Sequence, residues 1–196
     1  MHTAHLVLLK GNLKMKKIIA ILAMAFTASA FADSVTIERQ AVNNIGSADQ
    51  TTYALTVKHE LNKMFALDVG STNTQATGTN ALSTRLEAGV TATAPITGTV
   101  TGYVRGAVGE KYSNTGNFAY YSVEPGVSMP VGPVVVKAGY RYRSASDSNL
   151  NGDQTHTARL GVSYALTKND TVGIGYDRVR GDNTQNVTKV NYTRSF

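Results

Sequence analysis

Gly161-Val162-Ser163-Tyr164-Ala165-Leu166-Thr167-Lys168-Asn169-Asp170-Thr171-Val172-Gly173-Ile174-Gly175-Tyr176 reads as two strands joined by a turn. Apolar residues alternate at Leu160, Val162 and Tyr164 before it, and at Val172, Ile174 and Tyr176 after it. A period of two puts alternate side chains on opposite faces of a strand. Between the runs, Thr167-Lys168-Asn169-Asp170 carries the polar residues of a tight turn. The other face holds Arg159, Gly161, Ser163, Gly173, Gly175 and Asp177, all charged or small. A soluble sandwich and a membrane barrel both accommodate this hairpin.

The rest of the chain decides between them. Strand-like runs follow at about 34–42, 51–61, 64–73, 80–93, 98–112, 117–129, 133–146, 154–166, 170–181 and 186–196. Short connections (61–63, 94–97, 130–132, 167–170) alternate with longer polar ones (43–50, 74–79, 113–117, 147–153, 182–185). An even number of strands, with short turns at one end and longer loops at the other, is the pattern of an outer-membrane barrel. In lipid only helices and closed sheets leave no backbone group unpaired, and no run here has a helical period. The expectation is an all-β fold, a closed antiparallel transmembrane β-barrel of about ten strands with short periplasmic turns; eight is the alternative count. Pro125-Gly126 interrupts the sixth run, where proline cannot donate to a ladder, so a bulge or an early end to pairing is expected there.

The charge balance fits export better than nucleic-acid binding. The net charge is +6, but Lys10, Lys14, Lys16 and Lys17 lie before Asp33, leaving 15 basic against 13 acidic residues beyond. Met15-Lys16-Lys17, the apolar run Ile18 to Phe26, and Ala30-Phe31-Ala32 form a secretory signal over 15–32. Residues 1–14 are then an upstream extension without evident role, and 33–196 the barrel. The absence of cysteine is compatible with export.

The leader, the 161–176 hairpin and the last run, Val190-Asn191-Tyr192-Thr193-Arg194-Ser195-Phe196, together resemble the small OmpA-like outer-membrane barrel proteins, with their OmpX-, OmpW- and porin-family relatives. The resemblance implies residence in the bacterial outer membrane, contact with its lipid and lipopolysaccharide, and a monomer. It also implies that Val190, Tyr192 and Phe196 are the terminal signal read by the outer-membrane assembly machinery. Arg194 departs from that signal at a position more often apolar. The arginines give a second resemblance, to the KdgM-like channels for acidic oligosaccharides, but those have twelve strands and ten runs leave no room for two more.

Strand parity sends Arg85, Glu87, Arg105, Glu124, Lys137, Arg141, Arg159 and Asp177 into the lumen as a charge belt. Charges inside a barrel must pair or stay wet. The belt therefore lines a narrow conduit for small polar or anionic solutes, or it plugs a structural barrel that stabilises the envelope or binds lipopolysaccharide. Gly139, Gly161, Gly173 and Gly175 are expected to leave space there. Arg39, Arg178 and Arg180 face outward at loop-side strand ends, where guanidinium groups would meet lipopolysaccharide phosphates. Tyrosines and phenylalanines near both strand ends match two aromatic girdles.

Catalysis has thin support. Enzymes of lipid modification and an aspartyl-type protease exist among such barrels, but they need a base beside a nucleophile or activated water. The mature chain offers only His59 and His156, the latter near Ser144, Thr155 and Thr157. No metal or cofactor is expected: cysteine is absent and the 147–153 loop lacks the closing glutamate of a calcium loop.

Overall fold

The computed structural model describes residues 32–45, 48–79, 81–114, 116–147, 153–181 and 184–196. The upstream extension and all of the leader except Ala32 lie outside the described residues, as does 148–152 of the 147–153 loop.

Ten strands follow in chain order: β1 (Ser34–Asn44), β2 (Gln50–Glu60), β3 (Phe65–Ala76), β4 (Leu82–Thr97), β5 (Val100–Ser113), β6 (Gly116–Val131), β7 (Val134–Ala145), β8 (Thr155–Ala165), β9 (Asp170–Arg180) and β10 (Gln185–Ser195). Each pairs antiparallel with its sequence neighbours. β1 also pairs with β10, in one register from Ser34↔Ser195 to Asn44↔Gln185, and this closes the sheet. Closure leaves no strand with an unpaired edge.

The barrel is turned inside out relative to a soluble protein. Val69, Val108 and Ile174, on three different strands, are 61%, 65% and 64% exposed, while the lumen acids Glu124 and Asp177 are only 7% and 5% exposed. A sandwich would bury the first set and wet the second, so the sandwich reading falls. Leu67, Leu86, Val90, Val104, Val123, Leu160 and Val190 continue the outward apolar surface.

The turns follow from their residues. Gly98 (φ 40°) opens the β4–β5 turn and Gly132 (φ 61°) the β6–β7 turn. Positive φ at the first turn position is what a type II′ hairpin needs, and Pro133 can follow it there. Asn62 Oδ1 accepts from the backbone N–H of Met64 (2.8 Å) and Phe65 (2.9 Å) between β2 and β3. Thr167 Oγ1 does the same for Asn169 (3.2 Å) and Asp170 (3.0 Å) between β8 and β9.

Two proline expectations are corrected. Residues 94–97 are strand, not turn: β4 runs through Pro95 to Thr97, with a register shift between them against β5. At Pro125 there is neither a bulge nor an early end. β6 continues to Val131 and keeps its ladder with β5, including Val104↔Pro125. Only the β7 side is interrupted, between Val123↔Tyr142 and Gly126↔Gly139, and the register is the same on both sides of the gap. Proline lacks one donor, and the ladder loses its bonding locally without slipping.

Candidate functional site: the charged lumen

The parity that exposes the apolar residues turns the charges inward. Arg85, Glu87, Arg105, Glu124, Arg141, Arg159 and Asp177 line one cavity of about 790 Å³, and Lys137 lines a second of about 470 Å³. Ion pairs link most of them into two chains. In the first, Arg105 Nε donates to Asp68 Oδ1 (3.0 Å), its Nη2 meets Asp68 Oδ2, and its Nη1 donates to Glu87 Oε1 (2.7 Å). Glu87 Oε2 accepts from Arg141 Nη2, which also reaches Ser122 Oγ at 3.1 Å. In the second, Arg159 Nη1 donates to Glu124 Oε2 (2.7 Å), while its Nε lies 3.4 Å from Asp177 Oδ2. Lys189 Nζ closes on the same Asp177 oxygen at 2.5 Å.

The first chain draws on β3, β4, β5 and β7, the second on β6, β8, β9 and β10. Both bridge strands two or three places apart in the sheet, Arg141 on β7 reaching Glu87 on β4 and Arg159 on β8 reaching Glu124 on β6. Each carboxylate is shared or multiply bonded, which is how a low-dielectric interior tolerates such charges. Arg143 pairs with Asp153 (3.1 Å) and lies 5.3 Å from the Tyr120 ring centroid, a cation–π distance. Arg85 and Lys137 form no ion pair with any described residue.

The larger cavity touches both rims. Gln50, Ala81 and Ser113 line its loop-side end, and Ser34, Lys58 and Thr91 its turn-side end. On β1 to β3 its wall is largely neutral and hydroxylated: Thr52 Oγ1 and Thr74 Oγ1 share a 2.8 Å hydrogen bond, and Thr56 and Thr72 lie beside them. The smaller cavity lies toward the turn side, between Val135, Lys137, Ser163, Asn191 and Thr193.

Three lumen residues escaped the sequence reading: Tyr103, Tyr120 and Asn191. Tyr103 donates to Glu124 Oε1 (3.3 Å), and Tyr120 is 2% exposed. Their seats are glycines. A Cβ at Gly139 would lie 2.5 Å from Tyr103 Oη, and one at Gly126 2.3 Å from the same ring. Gly109 seats Tyr120 in the same way, and Gly173 seats the Asn191 amide. Gly139 and Gly173 therefore do not leave the open space that the sequence reading expected of them; they receive side chains. The signal was present: an inward aromatic on one strand and glycines at inward positions on the strands beyond.

On the outer surface the expected sites separate. Arg178 and Arg180 stand at the loop-side end of β9, with Arg178 Nη1 bonded to Asn186 Oδ1 (2.5 Å). Arg39 does not join them. It is the sixth of eleven residues in β1, paired across to Tyr53 and Val190, so it faces outward at mid-strand. Val190, Tyr192 and Phe196 all point outward, and the Phe196 N–H donates to the Asp33 carbonyl (3.0 Å). Arg194, the departure from the terminal pattern, pairs with Asp170 at 2.9 Å beside the Tyr192 hydroxyl (2.5 Å), so its charge is met at the turn-side rim. His156 also faces outward, its Nδ1 2.7 Å from the Tyr140 hydroxyl and its ring against Tyr142. Thr155 and Thr157 line the lumen on the opposite face of β8, and the Ser144 hydroxyl donates to the Ala145 carbonyl (3.3 Å), not to His156. His59 Nδ1 lies 3.3 Å from Asp33 Oδ2 at the turn-side rim.

No protein-family model matches the chain, and no curated protein matches it. Among solved structures it is similar to the NanC porin, with 10% sequence identity and a TM-score of 0.50 over 82% of this chain and 100% of that one. It is also similar to the KdgM porin (12% identity, TM-score 0.45, 83% and 99% covered) and to Neisserial surface protein A (12%, 0.43, 83% and 95%). At these identities the likeness is one of fold alone: a closed antiparallel β-barrel.

Proposed function

We propose that the chain is a porin-like barrel of the bacterial outer membrane that passes small polar or anionic solutes through its charged lumen. The observation that carries this reading is the larger cavity, of about 790 Å³, whose lining runs from the turn-side to the loop-side rim. The outward apolar surface supplies the membrane contact, and the lumen's basic excess favours anions. Passage of this kind is binding and release without chemistry, and the outward His156 and rim His59 fit no catalytic role.

The test is conductance of the refolded barrel in a planar bilayer under a potassium chloride gradient. Discrete openings with a reversal potential shifted toward chloride support the conduit. A folded but silent barrel overturns it in favour of a second reading, a structural barrel whose Asp68–Arg105–Glu87–Arg141 and Glu124–Arg159–Asp177–Lys189 chains brace its interior.

A further inference from the structure

The ion-pair chains break down in the loop-side half of the lumen, around Arg85. It is the fourth residue of β4 from the loop end, and its strand partners are Thr72 on β3 and Lys111 on β5, a hydroxyl and a second cation. Like charges directly opposite on neighbouring strands oppose each other. The groups that act on Arg85 are Arg141, Arg143, Tyr120 and Glu87, and Glu87 is already engaged by Arg105 and Arg141. The Arg85 side chain has no hydrogen bond or ion pair to any described residue. The Nε atoms of Arg141 and Arg143 are buried without a hydrogen-bond partner. A guanidinium N–H buried in that state is costly, and an oxyanion is the group that relieves it. The lining beside Arg85 on β2 and β3 is hydroxylated, with Thr52, Thr72 and Thr74, and the acids next to these arginines, Glu87 and Asp153, are already paired to Arg141 and Arg143.

We propose that Arg85, with Arg141 and Arg143, forms a discrete binding subsite for an oxyanion group, carboxylate or sulfate, in the loop-side half of the lumen. The site rests on the conduit reading for its access. It adds saturable binding to that reading: the anion pauses at Arg85, which has no acid partner, and at the unpartnered Nε atoms of Arg141 and Arg143, then moves on past the paired chains.

The experiment adds malonate or sulfate to the refolded barrel in the bilayer and records current against concentration. The wild-type current falls along a saturating curve, and Arg85→Gln raises the half-blocking concentration at least ten-fold. Lys58→Gln, which removes a cation paired at the turn-side rim, moves it less than two-fold. Arg85→Lys keeps the charge without the fork and falls between, which also covers the case that the glutamine variant does not fold. Block by both anions assigns a general oxyanion site, and block by malonate alone a carboxylate site. A linear response, or an equal effect of Arg85→Gln and Lys58→Gln, overturns the subsite while leaving the conduit standing. A silent barrel ends the conduit reading, and thermal unfolding then decides the subsite: malonate raises the wild-type midpoint and not that of Arg85→Gln, or the subsite is wrong.

Discussion

Arg105 shows what a single side chain does in this lumen. Its guanidinium satisfies both oxygens of Asp68 and one of Glu87, so two buried carboxylates lean on one residue. Arg105→Met leaves Asp68 without its ion-pair partner and Glu87 with Arg141 alone, and breaking a buried pair from one side costs about 3–5 kcal/mol. We expect the urea midpoint of the heat-modifiable gel band to fall accordingly, with partial recovery when Asp68→Asn is added. An unchanged midpoint would mean that water carries these charges. Residue parity was legible in the sequence: every member of the charge belt faces the lumen, because a period of two cannot be read two ways once one face is apolar. Pairing was not legible, since it depends on how far a tilted strand carries each charge around the wall. Arg39 shows the same limit in the other direction: its outward face was readable, its height was not.

At the scale of elements, Pro125 sets a local weakness between β6 and β7. Its missing N–H removes ladder bonding to β7 opposite Tyr140 and Arg141, while β5 stays paired. Pro125→Val restores a donor at a position whose register is already correct. Net gain from one added backbone hydrogen bond is about 0.5–1.5 kcal/mol, so the thermal midpoint of the folded band should rise. A fall would show that the proline's fixed φ matters more than the bond. Strand limits were readable from sequence to within a few residues, because Gly, Asn, Asp and Thr mark the turns. The exception is β4, where Pro95 looked like a turn residue although Gly98, three positions on, makes the turn.

For the whole molecule, the fold stands or falls with the β1–β10 seam. Thr36 Oγ1 and Thr193 Oγ1 meet across it at 2.8 Å, 157 positions apart in the chain. A chain ending before Gln185 would leave β1 and β9 with open edges, and we expect it to show no heat-modifiable band at all rather than a weaker one. A folded nine-strand product would overturn that expectation. The closed fold was legible because ten alternating runs leave the backbone no other way to pair in lipid; the wet or braced state of the lumen was not, because it depends on side chains that only meet once the sheet has curled. The seam also sets an order of events in time. Contacts of such sequence separation are the slow ones in folding, and here the first strand made is the partner of the last. A ribosome releasing this chain therefore releases no partial barrel: until β10 exists, β1 has nothing to close against, and the whole chain must be kept from pairing with its neighbours during its passage.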